Sequence, residues 1–121
     1  MHRFRHLEVW QLSRALVLET YRLTAAFPAS ERFGLTSQLR RAAVSVGANI
    51  AEGSKRITDR GFAHFLSIAE GSAAEAGFLI DISIELGYLD REKGVALMKE
   101  FERLERMLKA LRKHLDSAPI V

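Results

Sequence analysis

The stretch Leu97-Met-Lys-Glu-Phe-Glu-Arg-Leu-Glu-Arg-Met-Leu-Lys-Ala-Leu-Arg-Lys-His-Leu115 sets Leu97, Phe101, Leu104, Leu108, Leu111 and Leu115 at alternating intervals of four and three. That is a heptad seam: one narrow apolar stripe on an otherwise charged helix, stable only when other helices cover it. Asp90 is a good N-cap type and opens this helix, predicted over 90–115. On its outer side Glu102 precedes Arg106 and Glu105 precedes Lys109 by four residues, the spacing of exposed ion pairs.

Upstream, the same periodicity recurs three times, and no strand-like alternation interrupts it. Val9, Leu12, Leu16, Leu23 and Phe27, with a second row at Trp10, Val17 and Tyr21, predict a helix over 6–27 that stops at Pro28. A second helix follows over 35–54, after a short connection in which Gly34 is free to take a left-handed turn. The third, over 59–86, is opened by Thr58 or Asp59 and closed by Gly87. It carries Phe62, Phe65, Leu66, Ala69, Ala73, Ala76 and Ile80 on one face. Connections this short force successive helices to fold back on each other. The expected architecture is all-α, an antiparallel up-down-up-down four-helix bundle forming one domain over 1–121.

Composition agrees with a globular domain: 121 residues, 48% hydrophobic and 27% charged. With no cysteine there is no disulfide framework or thiol chemistry. No apolar run has the length of a membrane span and the N-terminus lacks a secretion signal, so a cytoplasmic location and no membrane partner are expected. The formal net charge of +3 is unevenly placed. Residues 1–60 carry +5 (10 basic, 5 acidic) and residues 61–121 carry −2 (8 basic, 10 acidic).

Helices two and three are unusually rich in small residues. Gly47, Gly71 and Gly77 fall in mid-helix, where each costs roughly 0.8–1.0 kcal/mol relative to alanine, and tight contact between helices two and three would compensate. Ile-Ala-Glu-Gly-Ser occurs at both Ile50–Ser54 and Ile68–Ser72, but unmatched flanks argue against a repeat architecture. Helix two also carries two stripes. Leu39, Ala42 or Ala43, Val46 and Ile50 form an apolar one, and Gln38, Arg41, Ser45, Asn49 and Glu52 a polar one.

Catalytic chemistry finds little support. No Glu-x-x-His pair exists to build a carboxylate-bridged di-iron site, and neither a phosphate-binding glycine loop nor a nucleophile motif is present. His2 and His6 alone have helical metal-ligand spacing, at a terminus prone to fraying. A non-enzymatic protein with no cofactor, no metal and no small-molecule substrate is the reading that remains. Arg32 to Arg60 holds six basic residues against two acidic ones. Arg40, Arg41, Lys55, Arg56 and Arg60 are therefore candidate phosphate contacts for RNA or DNA, with Gln38 and Asn49 as polar readers. Arg41, Ser45, Glu52, Ser72 and Glu75 are candidates for a buried or interfacial polar network between helices two and three. The alternative is a protein-interaction scaffold with an exposed apolar patch around Trp10 and Phe33. A helix-turn-helix over Arg41 to Arg56, turning at Gly47, is disfavoured because no recognition helix continues beyond Ser54.

Several segments resemble the 23S rRNA intervening-sequence proteins, a bacterial family also called four helix bundle proteins. They are Phe4 to Trp10, Tyr21 to Pro28, Gly34 to Ser45, Asn49 to Gly53, and Phe65-Leu66 through Ile68-Ala69 to Gly71-Ser72 and Glu75. The resemblance implies a left-handed antiparallel bundle assembled as a ring-like homopentamer, in a family without an established activity. The related accessory proteins of diversity-generating retroelements are pentameric bundles associated with nucleic acid, so kinship implies RNA or DNA as a partner. Two positions depart from the family pattern. Gly47 stands where proline is common, and Gly77-Phe78-Leu79 replaces a more polar stretch.

Overall fold

The computed structural model describes the backbone of residues 2–117 and the side chains of residues 6–117. Four helices follow one another: α1 (His2–Thr24), α2 (Leu35–Gly53), α3 (Asp59–Glu85) and α4 (Arg91–Asp116), with a single 3-10 turn at Ala29–Glu31 between the first two. No strand occurs among the described residues. Helix backbones approach α1 to α2, α2 to α3, α3 to α4 and α4 back to α1, and among the described residues neither diagonal pair of backbones comes close. Each helix therefore packs on its two neighbours, which is the antiparallel bundle the short connections predict.

The heptad seam is the centre of the core. Phe101, Leu104, Leu108, Leu111 and Leu115 are each at most 1% exposed, and they share one buried core with Val9, Leu39, Val46, Ile50, Leu66 and Ile80. Three of the buried hydroxyls in this core find partners on their own helices, whereas the Thr36 hydroxyl has none. Thr20, Thr24 and Ser83 each donate to the carbonyl four residues earlier, at 2.7–2.8 Å, so none of the three is stranded in an apolar setting. The ion pairs predicted on α4 are not formed; Glu100 and Arg103 pair instead, at 3.5 Å. Exposed pairs contribute so little that side-chain entropy decides which of them forms.

Helix ends follow local chemistry. Thr58 accepts from the Gly61 amide at 3.0 Å and Asp90 from the Lys93 amide at 3.0 Å, as N-caps. Gly87 closes α3 at φ 79°, with its amide bonded to Ile84 O and the Tyr88 amide to Ser83 O. That pair of bonds is a Schellman ending, which needs the left-handed residue glycine provides. Gly34 behaves differently from expectation, since its φ is −107°. A Cβ there would lie 2.5 Å from the Glu31 carboxylate and displace it from its place, where it accepts from the Leu35 amide at 3.1 Å. Glu31 thus caps α2 from outside and places its charge at the favourable end of the helix dipole. Helix α1 ends at Thr24, three residues before the predicted stop: the residue before a proline avoids helical geometry, and Phe27 turns inward against the Tyr88 ring at 5.8 Å.

Glycines and serines set the spacing between helices, though not as composition suggested. Gly47 faces Ser13 of α1, at 3.2 Å from a would-be Cβ, and Gly77 faces Met98 of α4 at 4.0 Å. The α2–α3 contact is made close by Gly53, whose Cβ would lie 2.7 Å from Phe65, and by Ser45 and Ser72, hydroxyl to hydroxyl at 2.9 Å. Gly71 has nothing within 4 Å. The twin pentapeptides thus occupy opposite settings: Ile50 is fully buried and Ile68 is 40% exposed.

Candidate nucleic-acid interface

The antiparallel order brings the C-terminal end of α2, the start of α3 and the last turns of α4 to one end of the bundle. Lys55 and Arg56 lie in the α2–α3 connection, and Arg60 on the first turn of α3, all exposed. Arg56 is held in place: it pairs with Glu52 at 2.9 Å and its guanidinium lies 5.2 Å from the Phe65 ring centre. Between them, Ile57 is fully exposed at the tip.

Beside this connection a depression of about 490 Å³ opens between α3 and α4, lined by Arg60, Ala63, His64, Ser67, Arg112 and Asp116. Arg60, His64 and Ser67 share one face of α3 by helical spacing. Arg112 comes from α4 and is fixed by a two-point bond to Glu70, Nε to Oε2 at 2.5 Å and Nη2 to Oε1 at 3.2 Å. The hydrogen bond to Glu70 holds its guanidinium yet more firmly protonated, while burial acts in the opposite sense. His64, Ser67 and Arg112 were not singled out by the sequence. A basic residue at the end of a heptad helix carries no local signal of the helix it will face.

The other sequence candidates lie elsewhere. Arg41 and Lys55 are separated by fourteen positions, roughly 21 Å along α2 at the helical rise. Gln38 and Arg41 therefore belong to the opposite half of the bundle from Arg60. Arg40 is not an exposed charge: it is partly buried, donates from Nε to Thr24 Oγ1 at 2.8 Å and from Nη2 to Tyr21 O at 3.5 Å, and stacks 4.4 Å from the Tyr21 ring centre. Its guanidinium caps the C-terminal end of α1, where a cation is favoured. Asn49 turns inward along its own helix, donating to Ser45 O at 2.8 Å and Ser45 Oγ at 3.1 Å.

Of the expected polar network, Ser45 and Ser72 are joined directly. Arg41, Glu52 and Glu75 are all exposed in the single subunit, so the buried form of that network is not made there. Glu52 is engaged by Arg56, its neighbour one turn on, and lies eleven residues from Arg41, roughly 16 Å along α2 at the helical rise. Arg41 and Glu75 share the rim of a shallow depression of about 280 Å³ above Ser45, with Gln38 and Ala42. The apolar patch expected around Trp10 and Phe33 also separates. Both are exposed, at 41% and 87%, but Phe33 sits in the connection after α1, whereas Trp10 lies fourteen residues before that helix ends, roughly 21 Å away along it.

No group of three or more potential metal ligands occurs among the described residues. The His2 side chain of the candidate pair lies outside them. His6 packs edge-on against the Phe62 ring at 5.8 Å, and burial, reinforced by Lys55, pushes its pKa down. No helix among the described residues is long and apolar enough to cross a membrane.

Residues 5–110 match the family model described as 23S rRNA-intervening sequence protein. Among solved structures, a protein of unknown function from the S23 ribosomal protein family of Bacteroides thetaiotaomicron is similar at a TM-score of 0.83 and 22% identity. The alignment covers 90% of this chain and 98% of that one, and it supports the fold. No curated protein is significantly similar.

Proposed function

The chain belongs to the 23S rRNA-intervening sequence protein family, and from that footing we propose a non-enzymatic, cytoplasmic protein that binds RNA or DNA through the basic end of its bundle. The observation that carries this reading is that Lys55, Arg56 and Arg60 lie exposed at one end of the bundle, where Arg60 also lines a concave surface with Arg112 and His64. A phosphate backbone is the ligand such a surface attracts, and the exposed apolar tip at Ile57 suits contact with bases or sugars. The reading leaves out Arg40, bonded to Thr24, and Asn49, bonded to Ser45, as well as Gln38 and Arg41, which lie in the opposite half of the bundle.

Titration of labelled RNA and DNA at two salt concentrations tests the reading. Three phosphate contacts per subunit give a slope of roughly −2 to −3 in log affinity against log salt, and Lys55→Ala or Arg60→Ala should each lessen it by about 1. An absence of binding to either nucleic acid at low salt would remove the reading.

A second reading, assembly with further copies or another protein, is favoured by the outer face of α3. Ile68, Gly71 and Phe78 share one stripe there; Ile68 is 40% and Phe78 64% exposed, and a Cβ on Gly71 would meet nothing within 4 Å, so no close approach in the subunit offsets its helix cost. As a homo-oligomer, a pentamer on the family pattern, the protein would repeat its weak basic patch and gain affinity by avidity. Light scattering should give a multiple of the 13.6 kDa chain mass, and Phe78→Glu should return it to the single mass. A wild-type monomer would sink that part.

A further inference from the structure

We infer that the depression between the start of α3 and the end of α4 is a phosphate-group site, in which Arg60 and the outer edge of Arg112 take the anion and Asp116 competes with it. The inference deepens the nucleic-acid reading, since it rests on the same end of the bundle and names the atoms that would engage a phosphate.

Three features carry it. Arg112 is already oriented: Glu70 occupies Nε and Nη2, leaving Nη1 on the edge that approaches Asp116, with both residues lining the depression. A guanidinium fixed along one edge presents the other as a preorganised donor for an oxyanion. Arg60 enters from α3 without an ion pair or hydrogen bond among the described residues, and His64 and Ser67 complete its wall. Asp116 accounts for why the site is not a stronger one. Its carboxylate lies 3.8 Å from Arg112 Nη1, beyond hydrogen-bond distance, and is half exposed. An acid in the last turn of a helix is opposed by the dipole, so attraction to Arg112 is what favours its place there. An arriving phosphate oxygen would take that place, and Asp116 can swing into solvent.

Glu70 and Asp116 offset the two guanidinium charges, so the site is selective for a ligand that other contacts hold nearby. A nucleic acid already resting on Lys55 and Arg56 meets that condition; inorganic phosphate, with no such anchor, should bind weakly. Both share the chemistry, and the experiment separates them.

Inorganic phosphate is titrated into the full chain while the imidazole resonances of His64, assigned with His64→Gln, are followed; RNA binding is then compared for wild type, Arg60→Ala, Asp116→Asn and Glu102→Gln. Saturable movement of the His64 resonances, a loss of about fivefold in RNA affinity for Arg60→Ala and a gain of about threefold for Asp116→Asn at low salt support the site. Glu102→Gln, which removes an exposed acid elsewhere on α4, should change affinity less than Asp116→Asn. RNA binding that is unchanged in Arg60→Ala and Asp116→Asn, or an equal gain in Glu102→Gln, overturns the site while the nucleic-acid reading stands. A His64 response to phosphate with no RNA or DNA binding supports the site and overturns that reading. Silence in both assays overturns both.

Discussion

Arg40 reaches from α2 to the end of α1, donating from Nε to Thr24 Oγ1 at 2.8 Å, and so ties together two helices that the sequence separates by a ten-residue connection. The bond is charge-assisted and partly buried, and the same guanidinium covers the Tyr21 ring. Arg40→Ala should lower stability by about 1–2 kcal/mol in chemical denaturation. Arg40→Lys should recover little of it, because an ammonium lacks the flat fork that donates and stacks at once. Equal stability of wild type and Arg40→Ala would refute the bracket.

Arg41, one residue on, should behave in the opposite way. It is exposed at the rim it shares with Glu75, so Arg41→Ala should change subunit stability by no more than about 0.5 kcal/mol. If the polar network forms across subunits, the same substitution lowers the oligomer mass seen by light scattering at unchanged subunit stability.

Glycine substitutions separate two kinds of position. A Cβ on Gly94 would lie 2.6 Å from Ile84, and overpacking of this sort costs about 1–3 kcal/mol, so Gly94→Ala should melt earlier. Gly71→Ala meets open space and should raise subunit stability by about 1 kcal/mol through helix propensity. A melting curve for each variant decides, and a stabilised Gly94→Ala would contradict the close α3–α4 approach.

Stability should fall on mild acidification. Burial, and then Lys55, lower the His6 pKa beneath its ordinary 6.5. The folded state therefore binds its proton more weakly than the unfolded chain, so stability is full above pH 6.5 and declines as pH falls from there toward the folded-state value. His6→Phe keeps a ring against Phe62 and removes the titration. Thermal melts across pH 5 to 8 should show a shallower acid-side decline for this variant than for wild type.

Helix number, order and most boundaries were legible because each depends on local signals: the heptad of α4, the caps at Thr58 and Asp90, and the glycine stop at Gly87. What was not legible was which face of each helix meets which neighbour. Composition placed three mid-helix glycines in the α2–α3 contact, whereas Gly47 meets α1, Gly77 meets α4 and Gly71 meets nothing. Arginines were harder still. Arg40, Arg41 and Arg60 look alike in sequence, and their roles as helix bracket, rim residue and candidate ligand contact are set by residues 16 or more positions away. The candidate site was half visible: its α3 and connection residues were named, but its α4 wall, Arg112 and Asp116, becomes apparent only when the antiparallel fold juxtaposes the two ends.

The α2–α3 corner is a stiff mount. Amides of Ser54, Lys55 and Arg56 are bonded back to Ile50, Glu52 and Gly53, Thr58 fastens the far side, and the buried Gly53 presses directly on Phe62 and Phe65. The backbone that carries these charges loses little freedom when a ligand arrives, so that share of the ordering entropy is spent in folding. On the proposed reading, a residue hidden from solvent would then govern how long a ligand stays: loosening the corner at Gly53 would shorten the lifetime of a complex without removing one charged group from its surface.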